Sequence, residues 1–596
     1  MAAEGEALAY DILTKEGREK AAMAKLVRDQ ATPPASRSPK GLLQWTGSNW
    51  GRNWGWNSWT VIVIAIAALI ATPVLFVLGS ILVPATEVWQ HLAATVLPRY
   101  LLNSLWLMLG VGSGVLLIGV GTAWLVTLCR FPGSRLFEWA LLLPLAAPAY
   151  VLAYTYTDWL EIAGPVQTGL RQLFGWSVRD YWFPNIRSLG GAIIMLTLVL
   201  YPYVYLLARV AFLEQSVRTL EASRSLGCGP WRSFTTVALP LARPAIVAGL
   251  ALVLMEVLND FGTVQYFGVD TFTTGIYRTW FGMGERAAAA QLAAVLLLFV
   301  LWLILLERWS RRQARYYQTN LPQRRPVGYL LAGGRAALAW VACFLPLLLG
   351  FLLPAVLLLS MTLENLSQTL DERFWALARN SFVLAAVTAI LAVIIAVLMA
   401  YGLRLQANWG MRLATRIAAM GYAVPGSVIA VGVLIPVGRL DNALDAWMRA
   451  TLGISTGLLL SGTITALVFA YLVRFLAVSF NTVEASLGKI KPNLDDAARS
   501  LGHSPSSTLV KIHAPLMWGS LLTAAMLVFV DVLKELPATL VVRPFNFDTL
   551  AVRVYQLAAD ERLAEASGPA LAIVAVGIIP VIFLSWKITQ SRQAAR

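Results

Sequence analysis

Charge is scarce in this chain. Only 13% of its 596 residues are charged while 58% are apolar. Uncharged stretches near 20 residues recur from end to end, each long enough to cross a ~30 Å hydrocarbon core. That pattern excludes a soluble globular domain. Cysteine and histidine are rarer still, with three of each. Cys129, Cys228 and Cys343 show no pairing or zinc spacing, and His91, His503 and His513 show no metal-ligand spacing, so a disulfide framework and a tight metal centre are both excluded. The phosphate-cradling run G-x-x-x-x-G-K-S/T is missing too. The one Gly-Lys pair, Gly488-Lys489, is followed by Ile490. The chain is therefore expected to be no enzyme, with any nucleotide hydrolysis supplied by another subunit. Residues 1–30 mix acids and bases and lack the apolar core of a cleaved signal peptide.

What is present is a series of about twelve apolar spans, expected within 60–84, 101–129, 136–157, 190–213, 240–262 and 287–306, then 334–361, 381–403, 412–437, 456–480, 515–540 and 568–586. The expected class is an all-α integral membrane protein. The net charge of +15 raises the question of nucleic acid, but the basic residues sit where orientation explains them. Lys15, Arg18, Lys20, Lys25, Arg28, Arg37 and Lys40 precede the first span, and Arg308, Arg311, Arg312, Arg315, Arg324 and Arg325 follow the sixth. An even number of spans lies between the clusters, so both fall on one side, the cytoplasm by the positive-inside rule, with both termini. No nucleic-acid partner is expected; the lipid bilayer is the partner the composition demands. Trp45, Trp50, Trp54, Trp56 and Trp59, among Gly, Asn and Ser, read as an aromatic belt. The expected division is an N-terminal extension with this interfacial segment (1–57), a first half (58–306), a basic linker (307–330) and a second half (331–596).

The two halves repeat. Glu221, Ala222, Ser223, Gly227 and Pro240 in the first match Asp496, Ala497, Ala498, Gly502 and Pro515 in the second, an acid and two small residues followed by glycine and then proline at the same spacing. An offset of 275 separates Gly227 from Gly502 and Pro240 from Pro515. Asn103-Ser104 matches Asn380-Ser381, and Pro148-Ala149-Tyr150-Val151 matches Pro425-Gly426-Ser427-Val428, both at 277. Six spans per copy give the copies one topology, related by a pseudo-two-fold along the membrane normal with a path at their interface.

Chemistry is expected where charge sits inside a span. Glu256 and Asp260 are four apart, as are Asp531 and Glu535, which on one helix would place each pair on one face. An ionised carboxylate at the bilayer centre costs about 2.5 to 3.5 kcal/mol on the insertion scale, so four matched acids require a wet path or cationic partners. Lys534, Arg278 and Arg553 are the candidate partners, and Tyr266 a further oxygen donor. The acids either line a path or form an interhelical lock, and the sequence leaves both open.

The paired loops resemble the EAA loops of ABC-importer permeases. Asn259-Asp260-Phe261-Gly262-Thr263-Val264, Tyr266-Phe267-Gly268 and Thr274-Gly275-Ile276-Tyr277-Arg278, with Lys534-Glu535-Leu536-Pro537-Ala538-Thr539 and Arg543-Pro544-Phe545-Asn546-Phe547-Asp548, are similar to the two halves of bacterial ferric iron permeases. The resemblance covers roughly 58–590. It implies a fused type I importer permease of the inner membrane, fed by a periplasmic ferric-iron-binding protein. Two copies of a cytoplasmic ATPase would supply ATP, and ferric iron would be cargo rather than cofactor. Ala222 and Ala498 are then expected to allow close approach of the ATPases, and Gly227 and Gly502 to permit a turn. Ser223 departs from the usual second alanine, and Ala514 from the leucine before the proline. Two other classes stay open: the same machine carrying thiamine, sulfate or an aminophosphonate, and a proton-coupled secondary transporter that needs no ATPase.

Overall fold

The computed structural model describes residues 58–84, 86–214, 225, 227, 229–312 and 329–593. The N-terminal extension, most of the basic linker, Cys228, and Glu221, Ala222 and Ser223 of the first loop lie outside the described residues.

Eleven helices are long and apolar enough to cross a membrane, and a bent pair makes up to twelve. Numbered along the chain, spans 1 to 6 are Ser58–Leu82, Leu97–Leu128, the pair Ser134–Ala146 with Ala149–Phe174, Leu189–Leu213, Pro230–Asn259 and Arg286–Trp309. Spans 7 to 12 are Gly334–Glu364, Glu372–Leu405, Gly426–Leu452, Ile464–Leu487, Pro505–Leu533 and Leu563–Phe583. The helix of span 6 continues through Arg312. Among the described residues the strands are one two-residue parallel pair, with Cys129 opposite Tyr329 and Arg130 opposite Leu330.

Two expected spans are divided. Span 3 bends by 89° between Ala146 and Ala149. The stretch expected at 412–437 contains a separate amphipathic helix, Trp409–Ala418, ahead of the span that starts at Gly426. Proline causes both breaks. Its ring pushes the preceding residue out of the helical region, and Ala147 before Pro148 and Val424 before Pro425 are both extended, with ψ near 125°.

The halves are built alike and laced together. Spans 2 and 4 pack along each other in the first half, as spans 8 and 10 do in the second. Span 6 lies against span 9, and the equivalent span 12 lies against the break in span 3. The leading spans cross over. Span 1 meets the second half, where Thr60 donates to Gln406 at 2.8 Å and Trp59 packs edge-on against Tyr401. It approaches span 9 so closely that a Cβ on Gly432 would fall 2.5 Å from the Pro73 carbonyl oxygen. Span 7 in turn packs on spans 2, 3 and 4. Each half is thus completed by a helix of the other.

Candidate functional site

Spans 5 and 11 stop short because their last turns meet short re-entering helices, Gly262–Tyr266 and Pro537–Val542. Asp260 and Glu535 stand at these turns at the offset of 275 and do the same job. Asp260 accepts from the Val264 amide at 3.1 Å and from the Thr263 hydroxyl at 2.9 Å. Glu535 accepts from the Ala538 and Thr539 amides at 2.9 and 3.0 Å and from the Thr539 hydroxyl at 2.7 Å. Each carboxylate satisfies amides that a helix N-terminus leaves without partners. The expectation that each acid pair shares one helix face is corrected here: Asp260 is already extended, with ψ 132°, and the span 11 helix ends at Leu533.

The turns nevertheless bring all four acids together. Glu256, Asp260, Asp531 and Glu535 line one cavity of about 120 Å³ between the halves, with Asn259, Tyr150, Tyr203, Tyr422, Arg474 and Lys534 among the other lining residues. A space of that size holds several waters. Lys534 pairs with Asp531 at 2.9 Å. Glu256 makes no ion pair within 4 Å among the described residues.

Arg474 was not legible as a site residue, because one cation in span 10 has no partner nearby in sequence. It is buried, lies 3.7 Å from Glu535 and donates to the Asn259 side-chain oxygen at 2.7 Å. The Gly426 amide donates to the same oxygen at 2.7 Å. Asn259 belongs to the first half and Gly426, Arg474 and Glu535 to the second, so this is a polar bridge across the interface. The repeat departs from symmetry here: Val199 occupies the position of Arg474, and Asn259 that of Lys534.

The other expected partners lie elsewhere. Arg278 pairs with Asp270 at 2.8 Å, and Arg553 sits on Leu550–Ala559; neither lines the cavity. Tyr266 packs edge-on against Tyr154 at 4.4 Å between ring centres, with the Arg187 guanidinium 4.9 Å above its ring.

The second paired loop forms the helix Asn493–Ser500. Gly227 and Gly502 both adopt left-handed backbone, φ 79° and 80°, a conformation that costs other residues. Each loop then runs through one π-helical turn, Phe234–Ala238 and Leu509–His513, into a helix whose second residue is Pro240 or Pro515. Proline removes an amide and its ring crowds the preceding turn, and the wider turn relieves that conflict. Ala498 differs from its expected role. It is 1% exposed and packs into its own chain, while Asp496, Ala497 and Gly502 face outward beside Leu501, which is 78% exposed.

Asp495 anchors this helix and was missed. Arg404 donates to it at 2.6 and 3.0 Å while also capping the carbonyls of Leu487 and Ile490, and the fully buried His513 lies 2.7 Å away. Partial burial raises the Asp495 pKa, but the hydrogen bonds and charges of Arg404 and His513 outweigh it and hold the group below its ordinary value.

Residues 115–316 match the family of binding-protein-dependent transport system inner membrane components. The Fe(3+)-transport system permease protein FbpB 2 of Haemophilus influenzae is 27% identical over 537 residues, 88% of this chain and 97% of that protein. Residues 115–316 thus carry the domain of a binding-protein-dependent transport permease. The chain has the fused, two-half size of that relative. The molybdenum transport permease ModB of Escherichia coli is 28% identical over 203 residues, 86% of its own length but 33% of this chain. A 2-aminoethylphosphonate transport permease, PhnU, of Salmonella choleraesuis is 28% identical over 211 residues, 35% of this chain and 73% of that one. The permease is multi-pass, all-helical and of the type I importer class.

Proposed function

We propose that this permease carries ferric iron, delivered by a periplasmic binding protein, across the inner membrane, with two cytoplasmic ATPase subunits docked on its paired loops. The observation that carries the cargo is the charge balance of the interface cavity, where four carboxylates face two cations, Arg474 and Lys534. A surplus of negative charge suits a hard cation that prefers oxygen donors and repels an anion. Two of the carboxylates are already held by amides and one by Lys534. The ion is then attracted without being trapped, as conduction requires.

The matched glycine turns and π-helical turns support the loops as coupling elements, because a rigid loop can pass a push from an ATPase into spans 5 and 11. The exposed Leu494 in the first turn of Asn493–Ser500 and Leu501 just past its end offer the apolar contact such a dock needs. The test is reconstitution of the permease in proteoliposomes with its ATPase and binding protein. ATP-dependent uptake of ferric iron supports the reading. Uptake of molybdate or 2-aminoethylphosphonate in its place assigns the second reading, which the half-length relatives favour. Iron movement without any ATPase assigns a secondary transporter.

A further inference from the structure

Two tyrosine hydroxyls near the cavity have nothing to bond. Tyr150 and Tyr154 are 5% and 4% exposed, and neither hydroxyl has a hydrogen-bond partner among the described residues. A buried hydroxyl without a partner is costly and is rarely kept without a use. Their neighbour Tyr156 shows the ordinary solution on the same helix, donating to the Leu349 carbonyl.

The two orphans are four apart on Ala149–Leu160, so they share one face. Tyr150 lines the cavity, and its backbone-proximal atoms press on Gly262, where an added Cβ would fall 2.7 Å from the Tyr150 Cβ. The Tyr154 ring lies tilted against that of Tyr150, 5.7 Å between ring centres, and Tyr266 packs edge-on against Tyr154 at 4.4 Å. Past Tyr266 come Arg187 and the acids Glu161 and Glu561, both paired with Arg187 and the latter 75% exposed. By alternation of the spans these residues lie on the face opposite Asn493–Ser500. A row of tyrosine rings therefore joins that face to the cavity, with Tyr150 alone of the three lining it. The seam is built in the first half alone. The matching positions of the second half hold Ser427, Val431 and Val541 where the first has Tyr150, Tyr154 and Tyr266.

We propose that Tyr150 and Tyr154 are transient ligands that pass a hard trivalent cation from the outer mouth to the interface cavity. The inference rests on the ferric reading of the cargo. Each phenol that ligates exchanges its O–H bond for a metal–oxygen bond, displacing one water from the ion and releasing one proton to the cavity water. The proton returns when the ion moves on, so no oxidant or reductant is involved. Two isolated donors of this kind hold the ion too weakly to stop it.

The test uses the complete permease–ATPase–binding-protein complex in proteoliposomes, with Tyr150→Phe, Tyr154→Phe and the double variant. Tyr201→Phe is the control, since Tyr201 also has a buried hydroxyl without a partner but lies beside Tyr205 and Cys343, outside the seam. Ferric iron uptake and melting temperature are measured together. Uptake is expected to fall about tenfold in the double variant, with melting temperature unchanged or higher, and Tyr201→Phe is expected to transport normally. Normal uptake in the double variant overturns the inference while leaving the cargo intact. A lowered melting temperature with lost uptake also overturns it, by making the hydroxyls structural. A wild-type complex that moves no iron sinks the cargo reading and the inference with it.

Discussion

At the scale of single residues, the four cavity acids divide into two kinds. Asp260 and Glu535 hold the starts of re-entering helices, whereas Glu256 has no ion pair among the described residues and its equivalent Asp531 has one, to Lys534. Glu535→Gln removes the charge that balances Arg474 and weakens a cap, so it is expected to lower stability by about 1–2 kcal/mol, read as a fall in melting temperature. Glu256→Gln is expected to leave the melting temperature unchanged and to lower iron uptake. Equal destabilisation by both substitutions would make the whole cluster a lock. Asp495 gives a pH expectation. Its folded pKa lies below the ordinary ~3.9 of an aspartate, so its stabilising contribution is complete above that value and is lost as pH falls through the depressed one. Stimulated ATP hydrolysis should therefore show no pH dependence from this group near neutral pH, where it stays ionised. Asp495→Asn, which leaves Arg404 and His513 without their carboxylate, should weaken that stimulation at neutral pH.

At the scale of elements, the loop glycines and the π-helical turns form one device in each half. A β-branched side chain at Gly502 or Gly227 must occupy left-handed backbone, a strain of about 1–2 kcal/mol. That cost is too small to unfold a twelve-span bundle and large enough to redirect a short loop. Gly502→Val and Gly227→Val are each expected to insert normally and to abolish cargo-stimulated ATP hydrolysis. Unchanged stimulation in both would detach the loops from coupling. The Arg404–Asp495–His513 anchor has no counterpart at the matching first-half positions, where Asp495 and His513 align with Leu220 and Ala238.

At the scale of the whole molecule, a single chain supplies both halves and both loops. Native mass measurement is expected to find one permease with two ATPase subunits; two permeases per two ATPases would contradict the fused-pair architecture. The crossing of spans 1 and 7 adds a second expectation. Each half is covered by a helix of the other, so the halves should not be separable. Coexpression of 1–320 with 321–596 should either restore the whole complex or leave both pieces unstable, and a stable isolated half would show the crossed packing to be dispensable.

The sequence alone determined the class, the span count and the duplication, because apolar length and repeated spacing are local properties that the bilayer reads directly. It also brought forward Glu256, Asp260, Asp531, Glu535 and Lys534, since acids four apart and repeated in both halves stand out in an apolar run whatever the fold. It placed the third and ninth spans imperfectly, as hydropathy continues across a proline while the helix does not. Only the tertiary structure decided which groups meet. Arg474 and Asn259 are 215 residues apart and form one bridge. Asp495 looked like one more acid in a polar loop until Arg404 and His513 arrived from two other helices. Arg278 and Arg553 were plausible partners by proximity in sequence and were lost to geometry. Tyr150 and Tyr154 were ordinary aromatic residues of a span until the fold enclosed their hydroxyls and gave them no partner. A bilayer selects segments one at a time by composition, whereas a site is made where segments distant in the chain pack together, and that meeting is set by shape, register and satisfied polar groups rather than by any local run of residues.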